Sequence, residues 1–131
     1  MEIYEILDSV NEEPSKNKKV EILISNDSIA LRSLMRINFD PDLNIHVSKN
    51  IQWEPNISAS KGLNDIIKHL VPLSNKGKYE QQRADASFKA ILESIHVMDA
   101  QYLLDAVNKQ LKVRGLTLRL AEEIWGKRIF N

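Results

Sequence analysis

The stretch with the clearest potential for chemistry is 111–128, where one predicted helix ends, a tight turn follows and another helix begins at once. Gly115 permits the tight turn because glycine tolerates backbone conformations that other residues avoid. Thr117 is a good N-cap for the next helix. The first N–H groups of a helix have no partner inside it and carry partial positive charge, so a helix start of this kind can receive a phosphate.

Basic side chains cluster around the same turn. Lys112 and Arg114 precede Gly115, and further cations lie in or just after the following helix. The same arrangement occurs at helix junctions that have a purely structural role, so the alternative of a plain turn stays open. The predicted phosphate-binding set is Lys112, Arg114, Gly115, Thr117, Arg119, Lys127 and Arg128.

No pattern of catalytic residues accompanies this turn. The three histidines, His46, His69 and His96, stand at unrelated spacings without paired carboxylates, and the chain has no cysteine. Metal sites and catalytic triads need such residues in defined sets, and a lone histidine is more often structural or on the surface. Neither glycine-rich nucleotide signature fits. We therefore expect a protein that is not an enzyme and has no metal, cofactor or small-molecule substrate.

Two other features have competing interpretations. Lys16, Lys18 and Lys19 form a basic cluster at the start of the second predicted helix, where a solvated face is favoured over a phosphate contact. Trp53 lies beside Pro55 in an irregular segment. Packing of the indole on the core is favoured over an exposed stacking or interface anchor.

The elements that must position these residues are helices. Apolar residues recur at helical spacing in seven stretches, from Ile3–Val10 to Leu118–Trp125. Helix starts are predicted at Ser15, at Asp27 or Ser28, at Asp99 and at Thr117, and the fourth helix is predicted to end near Pro72.

Residues 39–60 break this pattern, with a weak alternation that predicts an irregular or minor β segment near 43–53. The fold class is thus all-α, a compact bundle of six to seven short helices in one domain over 1–131. The residues expected to share one core are Leu34, Ile67, Phe88, Leu92, Leu103 and Trp125.

Composition and charge limit the class of partner. The formal net charge is zero, although binding to nucleic acid normally requires a basic surplus. The charges are unevenly distributed. The charged side chains of residues 1–13 are all acidic, and those of residues 109–131 are mainly basic. The acidic start does not resemble an export signal and no apolar run could span a bilayer, so we expect a cytoplasmic protein without a membrane partner.

The stretch Gly115-Leu116-Thr117-Leu118-Arg119-Leu120-Ala121-Glu122-Glu123-Ile124-Trp125 also carries a family resemblance. The chain resembles the N-terminal DNA-binding domain of ATP-dependent DNA ligases, in the short form of T-even-type phage ligases. The resemblance runs from the Ile3–Val10 helix, through 18–23 and 31–39, to Trp125. Related small phage proteins share this layout, which indicates a stand-alone phage protein acting in the host cytoplasm.

The resemblance implies an all-α domain that grips duplex DNA across the minor groove through phosphate contacts, without reading sequence. Gly115 and Thr117 match the backbone-binding turn of that family. The Lys-x-Asp-Gly adenylation signature is missing from the chain, so we expect no ligase activity.

The sequence is consistent with two functions. The first is a duplex-DNA backbone binder that uses the turn at Gly115 and its neighbouring cations. The second is a protein-interaction factor, in which a ligase-type scaffold serves to inhibit, regulate or assemble a phage or host protein. The neutral net charge and the acidic first helix favour the second function, whereas the Gly115 motif favours the first.

Overall fold

The computed structural model describes residues 1–74, 77 and 79–127. These residues form an all-α bundle, which confirms the predicted fold class. A 3₁₀ segment, Ile67–Leu73, directly follows the fourth helix. The α-helices are α1 Ile3–Glu12, α2 Lys16–Ser25, α3 Ile29–Phe39, α4 Leu63–Ile66, α5 Gln81–Ser94, α6 Val97–Val107 and α7 Leu118–Trp125.

Three of the predicted helix starts are confirmed by side-chain caps. The hydroxyl oxygens of Ser15, Ser28 and Thr117 accept the N–H groups of Lys18, Leu31 and Leu120 at 3.4, 3.1 and 3.2 Å. Each cap satisfies one of the N–H groups that a helix start leaves without a partner.

The predicted start at Asp99 is wrong. Helix α6 begins at Val97, and the Nδ1 atom of His96 accepts the Met98 N–H at 3.1 Å. The carboxylate of Asp99 is buried and serves other helices, as described below. The imidazole of His96 also stacks on the Tyr4 ring with centroids 4.3 Å apart, so this histidine has a structural role.

Helix α6 is the central element of the bundle, since it packs against α1, α3, α4 and α5. The buried apolar residues form one cluster that includes Leu34, Phe88, Leu92 and Leu103, as predicted. Burial of such side chains contributes about 1.5–3 kcal/mol each.

The prediction was wrong for two members of the expected core. Ile67 and Trp125 are only partly buried and pack against the edge of the cluster. For Trp125 the reason is its polar edge, because the indole Nε1 donates to Asp27 Oδ1 at 3.0 Å and the ring stays near the surface.

The irregular segment between α3 and α4 is attached to α5 through carboxylates. Ser48 donates from its N–H and its hydroxyl to Asp85, at 2.8 and 2.5 Å, and these bonds lower the pKa of that carboxyl. The Glu54 N–H donates to Glu93 Oε2 at 2.7 Å. Trp53 is partly buried and packs against the core, in agreement with the favoured interpretation.

The β content near 43–53 reduces to an isolated bridge. Ile45 pairs with Ser74, so the bridging partner lies outside the predicted stretch, and His46 donates its N–H to the Leu73 carbonyl at 2.7 Å. The fourth helix also differs from prediction, because four α-helical residues are followed by the 3₁₀ segment that contains Pro72. A proline inside an α-helix removes a hydrogen bond and clashes with the preceding turn, which explains the change of helix type.

Over the described parts of the chain, no helix combines the length and the apolar character needed to cross a membrane.

Candidate phosphate-binding site at the start of helix α7

The turn before α7 has the geometry that its glycine predicts. The Leu116 N–H donates to the Val113 carbonyl at 3.0 Å and closes the turn, with Gly115 at φ +76° in its third position. A positive φ at that position is typical of a type II turn. The turn is fixed to α1, because the Arg114 N–H donates to Asn11 Oδ1 at 2.9 Å.

Gly115 also lies against a buried lysine. A Cβ atom at this position would lie 3.1 Å from Lys19 Cε. Lys19 is only 7% exposed, and its ammonium donates to the Val10 carbonyl in the last turn of α1 at 2.5 Å. The interpretation of Lys19 as part of a solvated face is therefore wrong. Lys19 ties α2 to α1, and the glycine makes room for its alkyl chain.

The start of α7 leaves two backbone donors available. Thr117 caps the Leu120 N–H, and the Thr117 carbonyl accepts from Ala121 at 3.0 Å. The N–H groups of Leu118 and Arg119 donate no hydrogen bond within the described residues. A phosphate oxygen is a suitable acceptor for such groups, because the positive end of the helix dipole lies there as well.

Arg119, which carries one of these donors, lines an open hollow of about 330 Å³ between α2 and α7, whereas Leu118 does not line it. Lys16 of α2 borders it too, together with the buried Lys19 and the exposed Arg119. Glu123 is the carboxylate of the hollow, and its oxygens lie 3.4 Å from Lys16 Nζ and 3.9 Å from Arg119 Nε. The lining residues are Pro14, Lys16, Lys19, Gly115, Thr117, Arg119, Leu120 and Glu123.

The predicted set is thus only partly brought together. Gly115, Thr117 and Arg119 share the hollow, and Lys127 lies in an adjoining depression that also includes Arg119. Lys112 and Arg114 are exposed but do not line the hollow. Arg128 lies outside the described residues. Lys16 was missed as a site residue, although the basic cluster at 16–19 was visible in the sequence.

Lys109, a cation of the mainly basic segment 109–131, is not available to bind a partner. The ammonium of Lys109 donates to the carbonyls of Ile37, Asp40 and Leu43 at 2.8, 2.7 and 2.8 Å. Burial lowers the pKa of this lysine. Lys109 therefore stabilises the end of α3 and does not count toward a phosphate-binding surface.

The acidic first helix is likewise partly engaged inside the protein. Asp8 accepts the Tyr102 hydroxyl at 2.5 Å, and burial together with this bond raises the pKa of that tyrosine. Glu5 accepts the Glu2 N–H at 3.0 Å, and Glu13 accepts the Ser15 N–H at 3.0 Å. These carboxylates satisfy N–H groups near helix ends and a partly buried hydroxyl, so they have structural roles while keeping their negative charge.

Asp99 is the most buried carboxylate of the described chain and joins two helix starts. Its oxygens accept the Tyr4 N–H in α1 and the Leu63 N–H in α4, each at 2.8 Å. A Cβ atom at Gly62 would lie 2.7 Å from Asp99 Oδ2, so the glycine gives the carboxylate access to α4. Within the described residues, no three or more His, Asp and Glu side chains are grouped so that they could hold a metal ion.

We expect Gly115→Ala to lower the free energy of unfolding by about 1–3 kcal/mol, because alanine is strained at positive φ and its methyl group would press on Lys19. Gly126→Ala is a comparison without the side-chain contact, since nothing lies within 4 Å of the missing Cβ of Gly126, but its φ of +83° and ψ of 162° lie in a region even more restricted to glycine. Urea denaturation measures both losses. A Gly115→Ala variant as stable as the wild type would contradict the prediction.

Comparison with known proteins adds no assignment to this site. No protein-family model matches the sequence, and a search of the curated proteins gives no match. The function of the chain is therefore inferred from its own residues.

Proposed function

We propose that this protein binds the backbone of duplex DNA, weakly and without sequence specificity, through the hollow at the start of α7. The observation that carries the proposal is the coincidence, around one hollow, of a free backbone donor, the Arg119 N–H, with cations from two helices. Lys16 comes from α2, and Arg119 comes from the first turn of α7. Phosphate is the anion that such a combination suits, and a DNA backbone supplies phosphates in a row.

The balance of charge in the hollow supports an anionic partner. Two exposed cations, Lys16 and Arg119, line the hollow with a single carboxylate, Glu123, and the buried ammonium of Lys19 is held by the Val10 carbonyl. The two exposed cations lie close to Glu123, and surface ion pairs of this kind contribute only about 0–1 kcal/mol. A phosphate can therefore compete for Lys16 and Arg119 at low cost. Lys112 and Arg114 are exposed and precede the turn in the sequence, but they do not line the hollow.

The proposal predicts a salt-dependent affinity. With three or four phosphates neutralised, the slope of log affinity against log salt is expected to be about −3 to −4. Affinity should then fall by about 60- to 250-fold between about 50 mM and about 200 mM salt. Fluorescence anisotropy of a labelled duplex, titrated at both concentrations with two unrelated sequences, measures the slope and the lack of specificity. Absence of binding at the lower salt concentration would contradict the proposal.

Two variants test whether this hollow is the binding site. Lys16→Ala should weaken every duplex alike and reduce the magnitude of the slope by about one. Glu123→Gln should raise affinity by up to about fivefold, because it removes the competing carboxylate. Lys89→Ala on α5 is the control, since Lys89 is exposed and lies outside the hollow. An unchanged affinity in both hollow variants would place any DNA binding elsewhere.

A second candidate, a protein-interaction factor, is favoured by one apolar region. Ile24 and Ile29, which flank the connection between α2 and α3, are 56% and 79% exposed. Ile24 also borders a depression of about 280 Å³ with Asp27, Arg32, Ile124 and Trp125. Exposed apolar side chains beside a tryptophan are typical of protein interfaces. A protein that binds no duplex at low salt but associates with a phage or host protein through this region would fit this candidate.

A further inference from the structure

A second hollow, separate from the proposed DNA site, lies where α3 meets the irregular segment and the 3₁₀ segment. It has a volume of about 200 Å³ and a mainly apolar lining. Ser33, Arg36 and Ile37 share one face of α3, because residues three and four positions apart are neighbours on a helix. The lining residues are Ser33, Arg36, Ile37, Leu43, Ile45, Ile67, Leu70 and Ser74.

Arg36 is the feature of this hollow that the fold does not explain. Its Nε atom is shielded from solvent and has no hydrogen-bond partner among the described residues. No carboxylate of those residues forms an ion pair with its guanidinium, whereas Arg32, one turn earlier, is paired with Asp27. A guanidinium has donors but no acceptor, and a shielded donor without an acceptor is unfavourable.

We propose that this hollow binds a small carboxylate with a compact apolar body, with the carboxylate on Arg36. The planar guanidinium matches a carboxylate in shape and charge, and its terminal Nη groups would donate to the carboxylate, whereas the shielded Nε gains this acceptor only when the side chain shifts. Leu43, Ile45 and Leu70 would enclose the apolar part. A cavity of about 150 Å³ accepts a benzene ring, so the larger hollow here has room for a benzoate-sized anion.

The size and the charge of the hollow define the ligand together. A bare anion such as acetate would leave the apolar walls in contact with water, and a neutral ring would leave Arg36 without its partner. We therefore expect a benzoate-sized acid to bind better than either. The ligand class differs from DNA, and none of the residues that line this hollow lines the hollow at α7. The two proposals can thus fail independently.

Nuclear magnetic resonance titration of the ¹⁵N-labelled protein with benzoate tests the proposal. Saturable shifts are expected at the amides of Ser33, Arg36 and Ile45, with a dissociation constant of roughly 1 mM or tighter, as for a fragment of this size. Benzamide and acetate serve as the neutral and the small probe, and each should bind at least about tenfold more weakly. Equal binding of benzamide, or shifts confined to other parts of the protein, would overturn the assignment.

Two variants complete the test. Arg36→Gln should weaken benzoate at least about tenfold, whereas Arg32→Gln, on the same helix but outside the hollow, should leave it unchanged. Ile67→Phe keeps Arg36 and fills part of the space, so it should also weaken benzoate. Circular dichroism establishes that each variant is folded. Retention of benzoate affinity in folded Arg36→Gln, or in folded Ile67→Phe, would contradict the proposal.

Discussion

Asp99→Ala is expected to lower the free energy of unfolding by about 2–5 kcal/mol, because two helix starts lose their acceptor at once. The Leu63 N–H is buried and the Tyr4 N–H is partly buried, so water cannot fully replace the carboxylate. Each donor left without a partner costs about 1–3 kcal/mol. Urea denaturation monitored by circular dichroism measures the loss.

Asp105→Ala is the control for this variant. Asp105 lies on the same helix, is only partly buried, and accepts a bond from the Gln101 amide one turn away. A side-chain contact of this kind contributes about 0.2–0.5 kcal/mol to a helix. If the two variants lost similar stability, the role of Asp99 as a junction between α1 and α4 would be wrong.

The contribution of Asp99 to the free energy of unfolding should change with pH in a defined direction. Burial raises the pKa of Asp99 in the folded protein, against the lowering effect of the two backbone N–H groups and of His96. Between the unfolded and the folded pKa, the folded state holds a proton that the unfolded state has released, so stability falls as pH rises through this window. The stability advantage of the wild type over Asp99→Ala should therefore widen as pH is lowered from neutral toward the ordinary aspartate pKa. A difference in stability between the wild type and Asp99→Ala that narrows as pH is lowered would contradict this expectation.

Lys109→Met is expected to lower the free energy of unfolding by about 2–4 kcal/mol. Methionine keeps most of the alkyl chain but lacks the ammonium that donates to three carbonyls at the end of α3 and just after it. Hydrogen bonds from a charged donor contribute about 1.5–3 kcal/mol each at most, and the lowered pKa of Lys109 shows that burial offsets part of this gain.

The backbone of Lys109 supports the same conclusion. Its φ of +57° is unusual for a residue with a side chain, and that conformation costs about 1–2 kcal/mol. Three acceptors for the ammonium explain why lysine occupies a position that favours glycine. Lys112→Met is the control, because Lys112 is exposed and makes no ion pair within the described residues. A loss in Lys109→Met no larger than the control would show that the carbonyls are satisfied without it.

The sequence determined the features of this protein that depend on neighbours along the chain. Ser15 and Thr117 could be assigned as helix caps, and a third cap could be narrowed to Asp27 or Ser28, because a cap's side chain binds an N–H two or three residues later. Gly115 could be assigned to a turn because its positive φ is a property of that residue type. The helical periodicity of the apolar residues gave the all-α class for the same reason.

Only the tertiary structure decided which charged side chains are available for function. Lys16 reaches Glu123 across 107 positions of sequence, and the Lys109 ammonium reaches Ile37 across 72. In the sequence, Lys19 and Lys109 look like members of exposed basic groups, and Asp99 looks like an ordinary helix cap. Helical periodicity specifies the face on which a residue lies but not the helix that packs against it, so the long-range partners of these charges depend on how the helices pack.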